Sequence, residues 1–196
     1  GIRLVGAIWR NGIPSPLPLP APSQPGNEIE FRPSGMNNKG TIVGQIIEQG
    51  SGVLPRSVMY RDGKFTDVLP PVNRFGAPVD VNNSDEILFL IGLGFQQYEH
   101  YLLKQNGFEK LNLPPGAKET YSLNDHGEVL GRTAGDDWLF HSKGVNHVFP
   151  KPLGSEYMVT WGLNNKGEGC AAAVPPYSSS GGSLSYYAVK QLRKTK

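Results

Sequence analysis

The sequence predicts an all-β fold, a β-propeller of four-stranded antiparallel blades, and three observations predict it. Four times the chain spells an apolar residue, two Asn or Asp residues and a turn: Met36-Asn37-Asn38-Lys39-Gly40, Val81-Asn82-Asn83-Ser84-Asp85, Leu123-Asn124-Asp125-His126-Gly127 and Leu163-Asn164-Asn165-Lys166-Gly167. The leading asparagines stand 45, 42 and 40 residues apart, the length of one four-stranded blade. A second motif alternates with the first: 5–12, 56–63, 100–107 and 137–144 each give a short apolar run and a polar turn ending in Gly, and 185–190 begins a fifth copy. Composition agrees, since 25 Gly and 17 Pro make up roughly a fifth of the 196 residues and fall between the apolar runs.

The first strand of each unit alternates. In Tyr157-Met158-Val159-Thr160-Trp161-Gly162-Leu163 the odd positions are apolar, which sets one face against a neighbour. Val79 and Val81 around Asp80, and Tyr121 and Leu123 around Ser122, keep the same phase. The asparagine turn follows, because Asn and Asp bond their own backbone while Gly supplies a positive φ without a steric cost. Asp85 holds the glycine position in the second unit and is expected to be a slightly strained variant. The second strand is a nearly continuous apolar run (41–44, 87–91, 129–131, 170–173), as expected where both faces are covered. Gly44, Gly131 and Ala171 share one aligned position, where adjacent sheets are expected to approach closely, with Phe89 the exception. The third and fourth strands form the hairpin on the second motif, and the fourth stops at proline (13–20, 64–70, 108–114, 145–150).

One domain is expected over 1–196, with units at 1–20 (partial), 28–70, 77–114, 118–150 and 156–192. The chain supplies four first-motif hairpins but five third strands. Four or five blades are therefore expected, one of them closed by the N- and C-terminal segments, since closure removes exposed edges.

No apolar stretch approaches the ~20 residues that span a bilayer, and no signal-peptide pattern opens the chain. Beginning at Gly1 inside a repeat, the chain reads as part of something longer. The formal charge of +2 becomes −2 without Lys190, Arg193, Lys194 and Lys196, so no basic face for nucleic acid is expected. Cys170 is alone, which excludes an internal disulfide and a cysteine metal cluster; on its apolar run it reads as a small buried hydrophobe. P-loop, EF-hand, paired-His zinc and nucleophile-elbow signatures are absent, and neither cofactor nor metal is expected.

The apolar-Asn-x-x-Gly-x-Ile/Val-Val-Gly segment, followed about 25 residues later by an apolar-aromatic run and a Gly turn, resembles the HAF-type extracellular repeat family of secreted bacterial proteins. Residues 36–44, 123–131 and 100–107 match best, and Thr66-Asp67-Val68-Leu69 resembles the Asp-Leu ending of that repeat. The resemblance implies a propeller-like fold and an extracellular or periplasmic setting, and brings no general activity with it. Only His100 keeps the histidine that opens the second motif, which argues against a ring of histidine ligands.

Loop lengths indicate where function belongs. The turns within the two hairpins of each unit fall on one face of the disc and are tight. The remaining connections, 48–55, 92–99, 133–136 and 174–183 together with 20–28, 70–77, 114–118 and 151–156, fall on the other face and are long. Binding residues favour loops held on a rigid scaffold. The candidates are Arg74, Phe75, Phe95, Gln96, Gln97, Tyr98, Tyr177, Ser178 and Ser179, whose aromatic, amide and hydroxyl groups suit a glycan or protein ligand. The alternatives are that Phe75 and Phe95 fold inward between blades and that the serine-glycine run at 178–182 is a plain linker. A non-catalytic binding module is therefore expected. The other expectations are a carbohydrate-active hydrolase or lyase using Asp136, Asp137 and Glu99 as acid and base, and a structural spacer in a larger surface protein.

Overall fold

The computed structural model describes residues 6–69, 75–94, 97–174 and 185–189. Its strands are β1 (Ala7–Arg10), β2 (Ile13–Pro16), β3 (Glu28–Met36), β4 (Ile42–Gln49), β5 (Arg56–Arg61), β6 (Lys64–Asp67), β7 (Gly76–Val81), β8 (Ile87–Gly94) and β9 (Gln97–Lys104). They continue as β10 (Gly107–Lys110), β11 (Ala117–Leu123), β12 (Val129–Thr133), β13 (Trp138–Ser142), β14 (Val145–Phe149), β15 (Tyr157–Leu163), β16 (Gly169–Val174) and β17 (Ser185–Val189). No helix occurs among the described residues, and so no helix is long and apolar enough to cross a membrane.

Strands pair in sequence order, each antiparallel to the next. β3–β6, β7–β10 and β11–β14 form three four-stranded sheets, β15–β17 a three-stranded one and β1–β2 a separate hairpin. Successive sheets pack face to face through their inner strands, β7 against β3 and β4, β11 against β7 and β8, and β15 against β11 and β12. This is a propeller-like arrangement. The second strands run through its middle, and Val43, Leu88, Phe89 and Leu130 are fully buried between neighbouring sheets.

Each seam has its own cluster. Leu17, Phe31, Ile42, Ile46 and Tyr60 lie between the β1–β2 hairpin and the first sheet, and Val43, Val81, Phe89, Ile91 and Tyr101 between the first and second. Leu88, Leu102, Leu123 and Val129 fill the third seam. Leu130, Trp138, Phe140, Met158 and Ala171 fill the fourth.

All four asparagine turns share one geometry. The Asn37 N–H bonds the Thr41 carbonyl at 3.0 Å, and the Gly40 N–H bonds the Asn37 carbonyl at 3.1 Å. Gly40, Gly127 and Gly167 take φ of 81°, 71° and 74°, and Asp85 takes 61° in the same place. The third- and fourth-strand hairpins Asn11-Gly12, Asp62-Gly63 and Lys143-Gly144 place both turn residues at positive φ, the two-residue turn whose twist matches the strands.

Every inner strand carries a β-bulge just before its turn. Register shifts fall at Ser34, Val79, Tyr121 and Trp161, three residues ahead of each asparagine. Opposite the bulge lie Gly44 and Gly131, where a Cβ would collide with the carbonyl oxygens of Arg32 and Glu119. These glycines thus admit the bulged strand of their own sheet, a correction to the expected approach of a neighbouring sheet.

Three further expectations are corrected. The apolar face Tyr157, Val159 and Trp161 does not lie against a neighbour: Trp161 is 65% exposed, while Met158 and Thr160 on the opposite face are buried against the third sheet. Cys170 is exposed, because it faces the same uncovered side. The connection expected over 92–99 is instead continued pairing, with Gly92 opposite Tyr98 and Gly94 opposite Gln97, so only 95–96 link β8 to β9.

Among the described residues β1 pairs only with β2, and β17 only with β16. The joining of the two chain ends in one blade is not among these pairings. Both β1 and β17 are third strands, so each end brings the same part of a blade. The Leu17 N–H bonds the Gly6 carbonyl at 2.8 Å just as Val68 bonds Ser57 and Leu111 bonds His100, which identifies β1–β2 as a third and fourth strand.

Candidate functional site

The motif asparagines build the scaffold before they build any site. The Asn37 Oδ1 accepts the N–H groups of Lys39 and Thr41, both at 3.0 Å, and Asn82, Asn124 and Asn164 do the same two and four residues on. That leaves the amide Nδ2 pointing sideways. Asn37 Nδ2 donates to the Asn82 carbonyl at 2.9 Å, Asn82 to Asn124 at 3.2 Å and Asn124 to Asn164 at 3.0 Å. Aspartate has no proton to give here, so the first position requires the amide.

The second motif position supplies an acceptor to the preceding turn, and Asn83 and Asn165 also donate their amides to Asp125. The N–H groups of Asn38, Asn83 and Asp125 bond the Oδ1 atoms of Asn83, Asp125 and Asn165 at 2.7–2.8 Å, an acceptor role that Asp125 fills as well as Asn. Two more rows cross the same seams, the first with its donors in the later sheet. The Leu123 N–H donates to Asp80 and the Leu163 N–H to the Ser122 hydroxyl. From the third strands, Ser57 donates to the Gly76 carbonyl, His100 meets the Thr120 hydroxyl at 3.2 Å and the Trp138 indole N–H donates to the Met158 sulfur.

These turns ring a polar cavity of about 290 Å³ lined by the asparagines, Asp80 and Ser122. Burial raises the Asp80 pKa against the lowering effect of its Leu123, Val81 and Ser122 bonds. The lining amides are committed to the rows just described, so this cavity is primarily architecture.

The opposite face carries the expected loop residues. Arg74, Phe95, Gln96, Tyr177, Ser178 and Ser179 lie outside the described residues. Phe75, Gln97 and Tyr98 are brought together from two separate stretches of chain. The Gly92 N–H donates to the Phe75 carbonyl at 3.2 Å, Gly92 stands opposite Tyr98, and Gly94 stands opposite Gln97. Residues opposite one another share a face of the sheet, so Phe75, Gly92 and Tyr98 form a row across three strands.

Phe75 is 44% exposed, which settles it as a surface ring. A Cβ at Gly92 would meet no atom within 4 Å, so the surface immediately above it is open. Phe75 and Tyr98 thus flank Gly92 in one row, and Gln97 is exposed on the other face of β9. Sequence reasoning missed Gly92. A glycine inside an apolar strand next to aromatic residues was the available signal.

The three carboxylates named for acid and base work are not assembled. Glu99 turns to the face of β9 that Tyr101 shares with the first sheet, where it pairs with Lys110 and accepts the Tyr101 hydroxyl. Burial, then Glu99, raises the Tyr101 pKa. Asp136 lies in the next sheet and bonds Arg132 at 2.7 Å. Arg132 also holds Glu119 at 2.7 Å and stands over the Tyr121 ring, on the side facing the fourth sheet. Burial raises the Glu119 pKa, but the Tyr121 hydroxyl and Arg132 outweigh it and leave the carboxyl below its usual range. Asp137 accepts the Lys151 N–H at 3.1 Å. Glu99 and Asp136 thus belong to ion pairs in different sheets, and each of the three carboxylates serves a local contact. Among the described residues no group of three or more His, Cys, Asp or Glu is placed to hold a metal.

No protein-family model matches the chain, and no curated protein matches it. Among solved structures, YCF48 bound to D1 peptide superposes with a TM-score of 0.46 and 15% identity over 89% of this chain. The chain spans 57% of the length of that protein.

Proposed function

We propose that the protein is a non-catalytic binding module whose ligand binds at the Phe75–Gly92–Tyr98 row on the long-connection face. One observation carries this reading: aromatic residues from separate stretches of chain stand on either side of an open glycine. Two rings beside an open glycine accept a flat, partly apolar ring, and the Tyr98 hydroxyl offers both a donor and an acceptor. A glycan ring and a proline or aromatic residue of a protein ligand share that chemistry. The resemblance to HAF-type repeats supports an extracellular or periplasmic setting and membership of a longer surface protein, and cell fractionation of the source organism tests the setting.

Glycan and peptide arrays test the ligand. A hit should be lost in Tyr98→Ala and also in Gly92→Val, whose Cβ has open space around it and whose methyls would occupy the ligand's place. Glycan hits and peptide hits separate the two ligand classes. Absence of any hit would leave a structural spacer as the better reading. A hit retained by Gly92→Val in a folded protein would move the site elsewhere.

A further inference from the structure

We propose that Thr41 and Asp85 are a matched pair that determines which unit can follow which: the turn of unit 28–70 is complete only when the next unit brings its own carboxylate to it. The carbonyl partner of the motif amide is the same at every internal seam. The carboxylate partner is not.

At three of the four turns the carboxylate comes from within the unit. The amide nitrogens of Asn82, Asn124 and Asn164 donate to Glu86, Glu128 and Glu168, four residues on, at 2.7, 2.6 and 2.8 Å. The same place after Asn37 holds Thr41, which has no carboxylate to offer. There the Asn37 amide donates to Asp85 Oδ1 of the following sheet at 2.7 Å, and the buried Thr41 hydroxyl donates to the same oxygen at 3.0 Å. Asp85 is the residue that stands where the other three turns have glycine. Two departures from the repeat, Thr for Glu at 41 and Asp for Gly at 85, thus meet across one seam and cancel.

The surroundings of the carboxylate agree. Ser142, on the third strand beside Glu128, donates to it, and Arg61 in the corresponding place donates to Asp85 at 3.1 Å. Asp85 therefore does for the first turn what the glutamates do for theirs. Its ion pairs with Lys39 and Arg61 involve side chains that are nearly half exposed and contribute little. The bonds from Asn37 and Thr41 carry the effect.

The two solutions exclude each other. A Cβ placed on Gly127 would stand 3.9 Å from Glu86 Oε2, so an aspartate there would bring a second carboxylate to a place already filled, and like charges repel. A turn with Asp is mismatched behind a unit that carries Glu. A turn with Gly is mismatched behind unit 28–70, because the Asn37 amide, 6% exposed, would lose its acceptor.

Two double-mutant cycles in the full chain, read by urea unfolding at pH 7, test the pair. Asp85→Gly should lower the midpoint by about 0.5–1 M. Thr41→Glu should lower it as well, because the new carboxylate meets that of Asp85. The two changes together should return the midpoint to within about 0.3 M of the parent. At the second seam the exchange runs in reverse: Glu86→Thr and Gly127→Asp should each lower the midpoint alone, and together they should recover more than half of the summed loss. Asp85→Asn keeps the accepting oxygen and should lose less than half of what Asp85→Gly loses.

Losses that simply add in the first cycle, or in the second, would overturn the proposal. So would a double variant that fails to fold. Equal losses for Asp85→Asn and Asp85→Gly would assign the effect to the ion pairs and overturn it in a different way.

Discussion

Replacing Asn124 by alanine removes four hydrogen bonds from a side chain that is 3% exposed: two from the N–H groups of His126 and Glu128, one to the Asn164 carbonyl and one to Glu128. At about 1 kcal/mol net for each bond, with the buried Glu128 N–H left unpaired, the loss comes to about 4 kcal/mol. Asn164 closes its own turn in the same way but is exposed and reaches no later sheet, so Asn164→Ala should cost about 1 kcal/mol. In urea, with a slope near 2 kcal/mol per molar, the midpoints should fall by about 2 M and about 0.5 M. Equal shifts for the two variants would refute the view that the sideways amide holds adjacent sheets together. Asn124→Asp sharpens the test, because it keeps the two accepting bonds, loses both donors and sets a second carboxylate beside Glu128. It should lie close to the alanine variant.

Three further outcomes follow from the same geometry. Gly131→Ala should destabilise the fold by about 3 kcal/mol, since its Cβ meets the bulged backbone of Glu119 and Thr120, while Gly92→Ala should stay within about 0.5 kcal/mol; thermal denaturation compares them. Burial lowers the His100 pKa to about 4, against the opposing pull of Glu119, so the folded protein resists a proton that the unfolded chain takes up near pH 6.5. Stability should therefore be complete above pH 6.5 and fall by about 3 kcal/mol on the way to pH 4, and His100→Asn should flatten that slope in urea titrations at stepped pH. Asp85→Gly relieves a left-handed backbone but removes the acceptor for Asn37, Thr41, Lys39 and Arg61, and should cost about 1–2 kcal/mol by chemical denaturation.

The repeat, the strand order and the left-handed turn positions were legible in the chain because each depends on neighbours close in sequence. Asn37 and Gly40 define a turn wherever the segment lies. The bulges were not legible. Ser34, Val79, Tyr121 and Trp161 look like ordinary strand residues, and they become bulged only against the register of the paired strand. For the same reason Gly44 and Gly131 were recognisable as places of close approach, but not what approaches them.

Asp85 illustrates a second limit. Read alone it is a poor substitute for glycine, yet its carboxylate anchors the neighbouring turn 45 residues back. Burial alone would raise its pKa, but bonds from Asn37, Lys39 and Thr41 hold it below the usual carboxylate value. That contribution is present above pH ~4 and lost as the carboxyl protonates. At the loop face, Phe75, Gln97 and Tyr98 were named from residue type and loop position. The row they form depends on Gly92, whose role appears only once β7, β8 and β9 lie side by side.

The sideways amides all point from an earlier sheet to a later one, and that polarity bears on how the chain emerges from the ribosome. When the turn at Asn37 has formed, its amide waits for a carbonyl that is still 45 residues from being made. Each newly added unit quenches the dangling donor of its predecessor and leaves one of its own. A duplication or loss of one whole unit preserves the handover, whereas a break inside a unit interrupts it.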